Sequence, residues 1–333
     1  MTALLDIRDL VLEFPLPGGA ARVLHHVDLQ VAPGESVGIV GESGCGKSMT
    51  ALTAMGLTPD GAEVSGSIRL DGQEILGLGD AAMSRIRGRR IGMIFQEPMT
   101  ALNPVRTIGD QVAEGLRLHL GLSDAEALDR AVAMLERVGL PRSRFSPDLY
   151  PHQLSGGQRQ RVVIAIALAC GPELLIADEP TTALDVTIQA QILDLICEVT
   201  AEAGMALLMI SHDLGVIAET TDRMLVMYAG TVVEEGPTAV VFADMAHPYT
   251  QGLFAAMPAA ELVGGEATDG ARGRLPTIPG QVPDPREPRV GCPFAARCPR
   301  ARERCRIEAP AADRFGPEHT VRCFYPGKEE RAA

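Results

Sequence analysis

The residues best suited to hold an anion lie in 39-IVGESGCGKSMT-50. Gly41, Gly44 and Gly46 have no Cβ, so the backbone can turn its N–H groups inward and approach a ligand closely. Lys47 and Ser48 follow at once, and Gly41-x4-Gly46-Lys47-Ser48 is the phosphate-loop pattern. Its chemistry is electrostatic. Inward N–H groups and the positive end of the next helix meet phosphate, Lys47 bridges the β- and γ-phosphates, and Ser48 binds Mg²⁺. The motif follows an apolar run, SVGIV, and opens a helix-forming run, MTALTAMGL, which is the context this chemistry requires. Cys45 fills a variable place in the loop, either as a small filler or as a point of thiol sensitivity.

Acids are needed beside such a loop. Asp178 ends the apolar run 174-LLIAD-178, and Glu179 follows it. Two adjacent carboxylates after a buried strand suit a division of labour, one holding Mg²⁺ through water and the other polarising an attacking water. His212 ends the next such run, MISHD, and is expected at the same sheet edge. A second glycine-rich site, 154-LSGGQ-158, precedes RQRVVIAIALA and places Ser155, Gly156 and Gly157 at a helix N-terminus, another anion site. It lies about 110 residues from the phosphate loop, so two chains facing head to tail can use both sites on one nucleotide more easily than one chain can.

The elements that position these residues follow from hydrophobic periodicity. Residues 1–75 read as short strands: 27-VDLQV-31 alternates as a half-buried strand does, and Pro33-Gly34 and Asp71-Gly72 are turn signals. Arg85, Arg87, Arg89 and Arg90 mark a solvated stretch around 78–90. Residues 108–145 read as helical, with Leu128, Val132, Leu135 and Val138 as the apolar stripe of 125–140 and Ser123 with Glu126 as a capping box. Strands return at 174–178 and 206–211 with a helix between them. Apolar strands alternating with helices predict a mostly parallel sheet covered on both faces. A composition shift near 258 and the five prolines of 276-PTIPGQVPDPREP-288 mark a boundary and an extended segment.

Composition narrows the class. The 333 residues are 46% hydrophobic but only 4% aromatic, which suits an α/β protein with about two domains. A net charge of −13 leans against nucleic acid as a partner. The longest clean apolar run, 162-VVIAIALAC-170, is far short of the ~18–20 residues of a membrane helix. The start, MTALLDIRDL, lacks the features of a signal peptide, and a cytosolic chain docking on a membrane protein is expected. Cys292, Cys298, Cys305 and Cys323 cluster within 32 residues, which in a reducing compartment suggests metal over disulfides. They suffice for a [4Fe–4S] cluster or a tetrahedral Zn²⁺; four reduced thiols in a small cap remain the plain alternative.

Taken together, GESGCGKS, the glutamine of 94-IFQEP-98, LSGGQ, LLIADE, 183-ALD-185 and His212 resemble the ATP-binding subunit of an ABC transporter, in the expected order over roughly residues 4–255. The resemblance implies a P-loop NTPase fold with a RecA-like core, an antiparallel β subdomain and a helical subdomain at about 100–165. It implies an ATP-binding domain over 1–257 and a small cysteine-rich extension over 258–333. It implies that Gly41, Glu42, Ser43, Gly44, Cys45, Gly46, Lys47, Ser48 and Met49 bind ATP and that Phe14 stacks on adenine. Ser48, Asp178 and Gln96 serve Mg²⁺, Glu179, His212 and Gln96 serve catalysis, and Ser155, Gly156, Gly157, Gln158 and Asp185 act on the opposite subunit's ATP.

The finer resemblance is to the dipeptide/oligopeptide importer subfamily, through 95-FQEPMTALNP-104, 247-HPYTQGL-253 and the cysteine tail. It implies a [4Fe–4S] cluster on the four cysteines, an anionic group that the seven arginines between Arg286 and Arg306 would stabilise. It also implies a second ATP-binding subunit in a heterodimer, two permease subunits, an external solute-binding protein and a place on the inner face of the cell membrane. A nickel or other small-solute importer is the alternative within the family, and a soluble ABC ATPase the alternative outside it.

Overall fold

The computed structural model describes residues 3–96, 101–182, 184–257 and 277–327. In chain order its main elements are β1 (Leu5–Leu16), β2 (Gly19–Val31), β3 (Ser36–Val40), α1 (Lys47–Ala54), β4 (Glu63–Leu70), β5 (Gln73–Glu74), α2 (Asp80–Met83) and β6 (Ile91–Ile94). Then come α3 (Ile108–Leu120), α4 (Asp124–Arg137), α5 (Gly156–Leu168), β7 (Leu174–Asp178), α6 (Val186–Glu202), β8 (Ala206–Ser211), α7 (Leu214–Thr220) and β9 (Arg223–Tyr228). The chain closes with β10 (Thr231–Pro237), α8 (Thr238–Asp244), α9 (Pro248–Ala255), α10 (Glu303–Ile307), β11 (Asp313–Gly316) and β12 (His319–Val321). Residues 277–288 hold neither helix nor strand, as their prolines require. The described residues form two compact units interleaved along the chain.

The first unit draws on the described parts of Met1–Leu5, Gln30–Ser36 and Arg69–Met209. Here β6 pairs parallel with β7, Ile91 opposite Leu174 through Ile94 opposite Ala177. Every residue of both strands is buried, as parallel strands covered on both faces must be. Gly92 lets α5 close on this pair, because a Cβ there would stand 2.4 Å from the Ala167 carbonyl. The helices are punctuated by local chemistry. Thr107 caps α3 by accepting from the Asp110 N–H, and Gly121 ends it in the left-handed conformation. Ser123 and Glu126 form the expected capping box of α4. The buried stripe of α4, however, is Ala127, Ala131 and Leu135, with Val138 just beyond it, while Leu128 is 40% exposed and Val132 only half-buried. Small alanines let α4 lie close to its neighbours, a choice set by packing that apolar spacing does not reveal.

The second unit draws on Asp6–Leu29, Val37–Ile68 and the described part of Ile210–Ala333. Its strands β1 and β2 run 12 and 13 residues, longer than the short strands expected, because Pro17–Gly18 is a two-residue turn of one hairpin, with Gly18 at φ 91°. β3 pairs parallel with β9, Val37 opposite Arg223. β9 turns through Ala229–Gly230 into antiparallel β10. β12 then adds to β10, Glu234 opposite Val321, and β11 adds to β12. The C-terminal region therefore extends the sheet that starts with the strand before the phosphate loop. It is pinned by buried Glu234, whose carboxylate accepts from the Ala246 N–H (2.7 Å), the His247 N–H (2.9 Å) and His319 Nε2 (2.8 Å).

Candidate functional site

The phosphate loop lies in the second unit. Gly46 has φ 105°, and a Cβ on it would stand 2.9 Å from Leu24; a Cβ on Gly41 would stand 2.2 Å from the Met227 carbonyl. The loop is thus wedged against β9 in a shape that only glycine tolerates. The Ala229–Gly230 turn holds it from behind: the Gly230 N–H donates to the Cys45 carbonyl (2.7 Å), and the His25 N–H donates to the Gly230 carbonyl (2.8 Å). Lys47, 4% exposed, folds its ammonium back onto the Gly41 carbonyl (2.7 Å) and the Glu42 carbonyl (3.2 Å). Ser43 and Gly44 stand exposed at the tip, Ser48 and Met49 are half-buried in the first turn of α1, and Phe14 is half-buried on β1. Cys45 is fully buried, and burial pushes its thiol pKa up, so it is a packed filler and not a reactive thiolate.

Glu42 takes a part that sequence reasoning missed. Its carboxylate points to Arg297 of the cysteine-bearing tail, Nη1 to Oε2 at 2.6 Å and Nη2 to Oε1 at 2.9 Å. Its N–H donates to the hydroxyl of Tyr249 (2.9 Å), from 247-HPYTQGL-253. No local pattern announces contacts between positions so far apart in the chain.

The acids and the second glycine site lie in the first unit. Because β6 and β7 are parallel neighbours, Gln96 and the Asp178–Glu179 pair leave them at the same edge, where ligands of such sheets bind. Gln96 Nε2 donates to the Glu179 carboxylate (3.1 Å), and so does the Thr182 hydroxyl (3.1 Å). Asp178 is buried, while Glu179 sits half-buried at φ 46°, a left-handed conformation uncommon for a side chain of its size. Such strain is characteristic of functional positions. Ser155 caps α5, accepting from the Gln158 N–H while Gln158 returns a side-chain bond to the Ser155 N–H. Gly157 is required sterically, since a Cβ would stand 2.8 Å from Ile188 of α6. Asp185 caps α6 through the Ile188 N–H (3.0 Å). Residues 97–100 of the FQEPMTALNP stretch, Ala183 of the ALD turn and 258–276 lie outside the described residues. His212 is exposed just past β8, in the second unit.

Cys292, Cys298, Cys305 and Cys323 line one small cavity of about 10 Å³ with His247 and Phe294. Burial, with the neighbouring thiols adding, pushes Cys292 up to about 11, and burial also raises Cys298 and Cys323. All four are free thiols. Among the described residues no group of three or more His, Cys, Asp or Glu side chains stands in metal-binding geometry. The arginines are largely committed elsewhere. Arg297 pairs with Glu42, Arg302 and Arg304 lie over Tyr325 (4.1 Å) and Phe324 (4.0 Å), and Arg300 is the one acting on Cys298 and Cys323. Of the arginines expected to stabilise the cysteine site, Arg300 faces Cys298 and Cys323 and Arg304 faces Cys305.

Known proteins place this arrangement. Residues 24–182 match the family model described as ABC transporter, and residues 233–305 match the oligopeptide/dipeptide transporter, C-terminal region. The chain is 46% identical to the oligopeptide transport ATP-binding protein OppD of Salmonella typhimurium, over 98% of this chain and 95% of the relative. It is 49% identical to the probable peptide ABC transporter ATP-binding protein y4tR of Sinorhizobium fredii, over 96% and 94%. Its fold matches the ATP-binding cassette MJ0796, solved as a dimer in a post-hydrolysis state with ADP and phosphate, at a TM-score of 0.62 and 30% identity over 70% of this chain and 98% of that one. The fold and the two motif sets define an ABC-type P-loop ATPase. Within that class, the chain belongs to the ABC transporter ATP-binding family and carries the oligopeptide/dipeptide transporter C-terminal region.

Proposed function

We propose that the chain is the ATP-hydrolysing subunit of an importer of dipeptides or oligopeptides. The observation that carries this reading is the oligopeptide/dipeptide C-terminal region over 233–305, which is built into the sheet through β10 and holds three of the four clustered cysteines. Relatives named for peptide import span nearly the whole chain. We read residues 1–257 as the ATP-binding domain, with its helical subdomain at about 100–165, and 258–333 as the extension.

In this reading residues 41–49 cradle the phosphates, Lys47 swings from its carbonyl partners onto the β- and γ-phosphates, and Phe14 stacks on adenine. Mg²⁺, held by the oxygen donors Ser48 and Asp178 with Gln96, would neutralise phosphate charge. Glu179 orients and deprotonates the attacking water, and the Gln96 bond fixes its carboxylate. His212 contacts the γ-phosphate. Ser155, Gly156, Gly157, Gln158 and Asp185 act on the nucleotide of a second ATP-binding subunit, so two sites open and close together. Two permease subunits and an external solute-binding protein complete the machine at the inner face of the cell membrane. No described helix is long and apolar enough to cross a membrane itself.

We also infer a metal group on Cys292, Cys298, Cys305 and Cys323, a [4Fe–4S] cluster before Zn²⁺. The support is that all four cysteines line one small cavity. A cluster would tie together segments up to 31 positions apart. Anaerobic purification with iron, sulfide and zinc analysis tests it: a broad band near ~400 nm with about four irons per chain supports the cluster, and metal-free protein refutes it. Cargo is tested with the reconstituted transporter. Peptide-loaded solute-binding protein should raise the rate of ATP hydrolysis; stimulation by a nickel-loaded one alone would overturn the peptide reading.

A further inference from the structure

Arg297 is bonded more completely than a surface ion pair. A guanidinium has five N–H donors, and here each has an acceptor. Nε donates to the Pro279 carbonyl (2.8 Å), Nη1 to Glu42 (2.6 Å) and the Tyr228 hydroxyl (3.4 Å), and Nη2 to Glu42 (2.9 Å) and the Ile278 carbonyl (3.2 Å). The guanidinium also lies 5.7 Å from the Tyr228 ring centroid. Its side chain is 5% exposed and that of Glu42 29%. The fork-on-fork geometry to a carboxylate is one that lysine cannot reproduce.

The partner at the far end of this contact is inside the anion site. Glu42 is the only acid between Gly41 and Ser48. A carboxylate there repels the polyphosphate that the loop exists to attract, and partial burial makes its charge more costly when unpaired. Glu42 is also where the loop is anchored, since its N–H is tied to Tyr249 and its carbonyl accepts from Lys47.

We propose that Arg297 is a positioning residue for nucleotide binding: acting through Glu42, the C-terminal region neutralises the phosphate loop's one carboxylate and fixes the loop's shape, and so sets the affinity for ATP without touching it. The proposal rests on the reading of 41–48 as the ATP phosphate site. It extends the role of the cysteine-bearing region from a cap to a partner of the nucleotide site.

The test uses the full-length chain and equilibrium binding of MgATP, with KM and kcat measured alongside. Arg297→Met should raise Kd and KM for ATP about tenfold with kcat changed less than about threefold, the effect of leaving one carboxylate unpaired beside an anion. Arg297→Lys should recover part of the loss. Glu42→Gln in the Arg297→Met background should bring Kd back to within about threefold of wild type, because no lone carboxylate remains. That rescue is the outcome a purely structural role would not give. If Arg297→Met binds ATP normally, or if the double variant is no better than Arg297→Met, the proposal is overturned. Should Arg297→Met fail to fold, Arg297→Lys carries the test: its Kd for MgATP should rise above wild type, and an equal value would refute the proposal. Lys47→Ala separates the two levels. Normal ATP binding there refutes the phosphate-site reading itself, whereas lost binding beside a normal Arg297→Met refutes only the role of Arg297.

Discussion

Replacing Glu179 with glutamine separates charge from shape at the proposed water-activating position. The carboxylate accepts two hydrogen bonds at one oxygen, from Gln96 and Thr182, both at 3.1 Å. An amide oxygen can accept both, so the side chain keeps its place. What changes is that two charge-assisted bonds become neutral ones, a loss of about 1 kcal/mol in stability at most for a half-buried group. The strained backbone at φ 46° is the same in both proteins and cancels. The rate consequence is much larger. Removing the group that accepts the water's proton should lower kcat by about 10²–10⁴-fold, equivalent to about 2.7–5.4 kcal/mol of barrier. ATP affinity should stay within about threefold of wild type, because Glu179 is not assigned to binding. Single-turnover phosphate release together with equilibrium ATP binding measures both quantities. A kcat within about fivefold of wild type would refute the role given to Glu179, and a large rise in Kd would show that the carboxylate acts in binding instead.

Gly41→Ala puts a methyl 2.2 Å from the Met227 carbonyl and 2.7 Å from Cys45 Sγ, so backbone must move; a loss of about 3 kcal/mol in urea unfolding is expected, with weakened ATP binding, and a neutral substitution would refute the wedged-loop account. His247 is pushed down to about 3 by burial, with Arg300 adding, and its Nδ1 accepts from the Tyr249 N–H. The folded value lies below the unfolded value near 6.5, so the unfolded chain takes up the proton first and stability falls as pH drops from about 6.5 toward 3, by up to about 1.4 kcal/mol per pH unit. His247→Asn, which keeps a capping acceptor, should flatten that slope when melting temperature is followed between pH 6.5 and 4.5; an unchanged slope would place the titration elsewhere.

What was legible in the sequence was what is local. The phosphate loop, the acids after LLIAD and the Ser123 capping box each depend on a few consecutive residues, and each lies where its pattern put it. The apolar stripe of α4 was read one position off, through Leu128 instead of Ala127 and Ala131, because the face a helix buries is chosen by what packs against it. The length of β1 and β2 escaped the reading of residues 1–75 as short strands, because it depends on Pro17–Gly18 forming one tight hairpin turn between them. The arginine-rich tail gave no sign of which arginine faces which partner; only the fold shows that Arg297 bonds Glu42.

That contact spans 255 positions of sequence. A ribosome adding 5–20 residues per second needs about 13–50 s to travel from Glu42 to Arg297. Early in that interval β9, against which the loop is wedged, has yet to be made, and until Arg297 emerges the carboxylate inside the loop has no counter-charge. A nascent or prematurely terminated chain would therefore hold ATP poorly, and full affinity would arrive only with the last part of the protein. On the role proposed for Arg297, the order of synthesis would delay full nucleotide affinity until the chain carries the oligopeptide/dipeptide transporter C-terminal region.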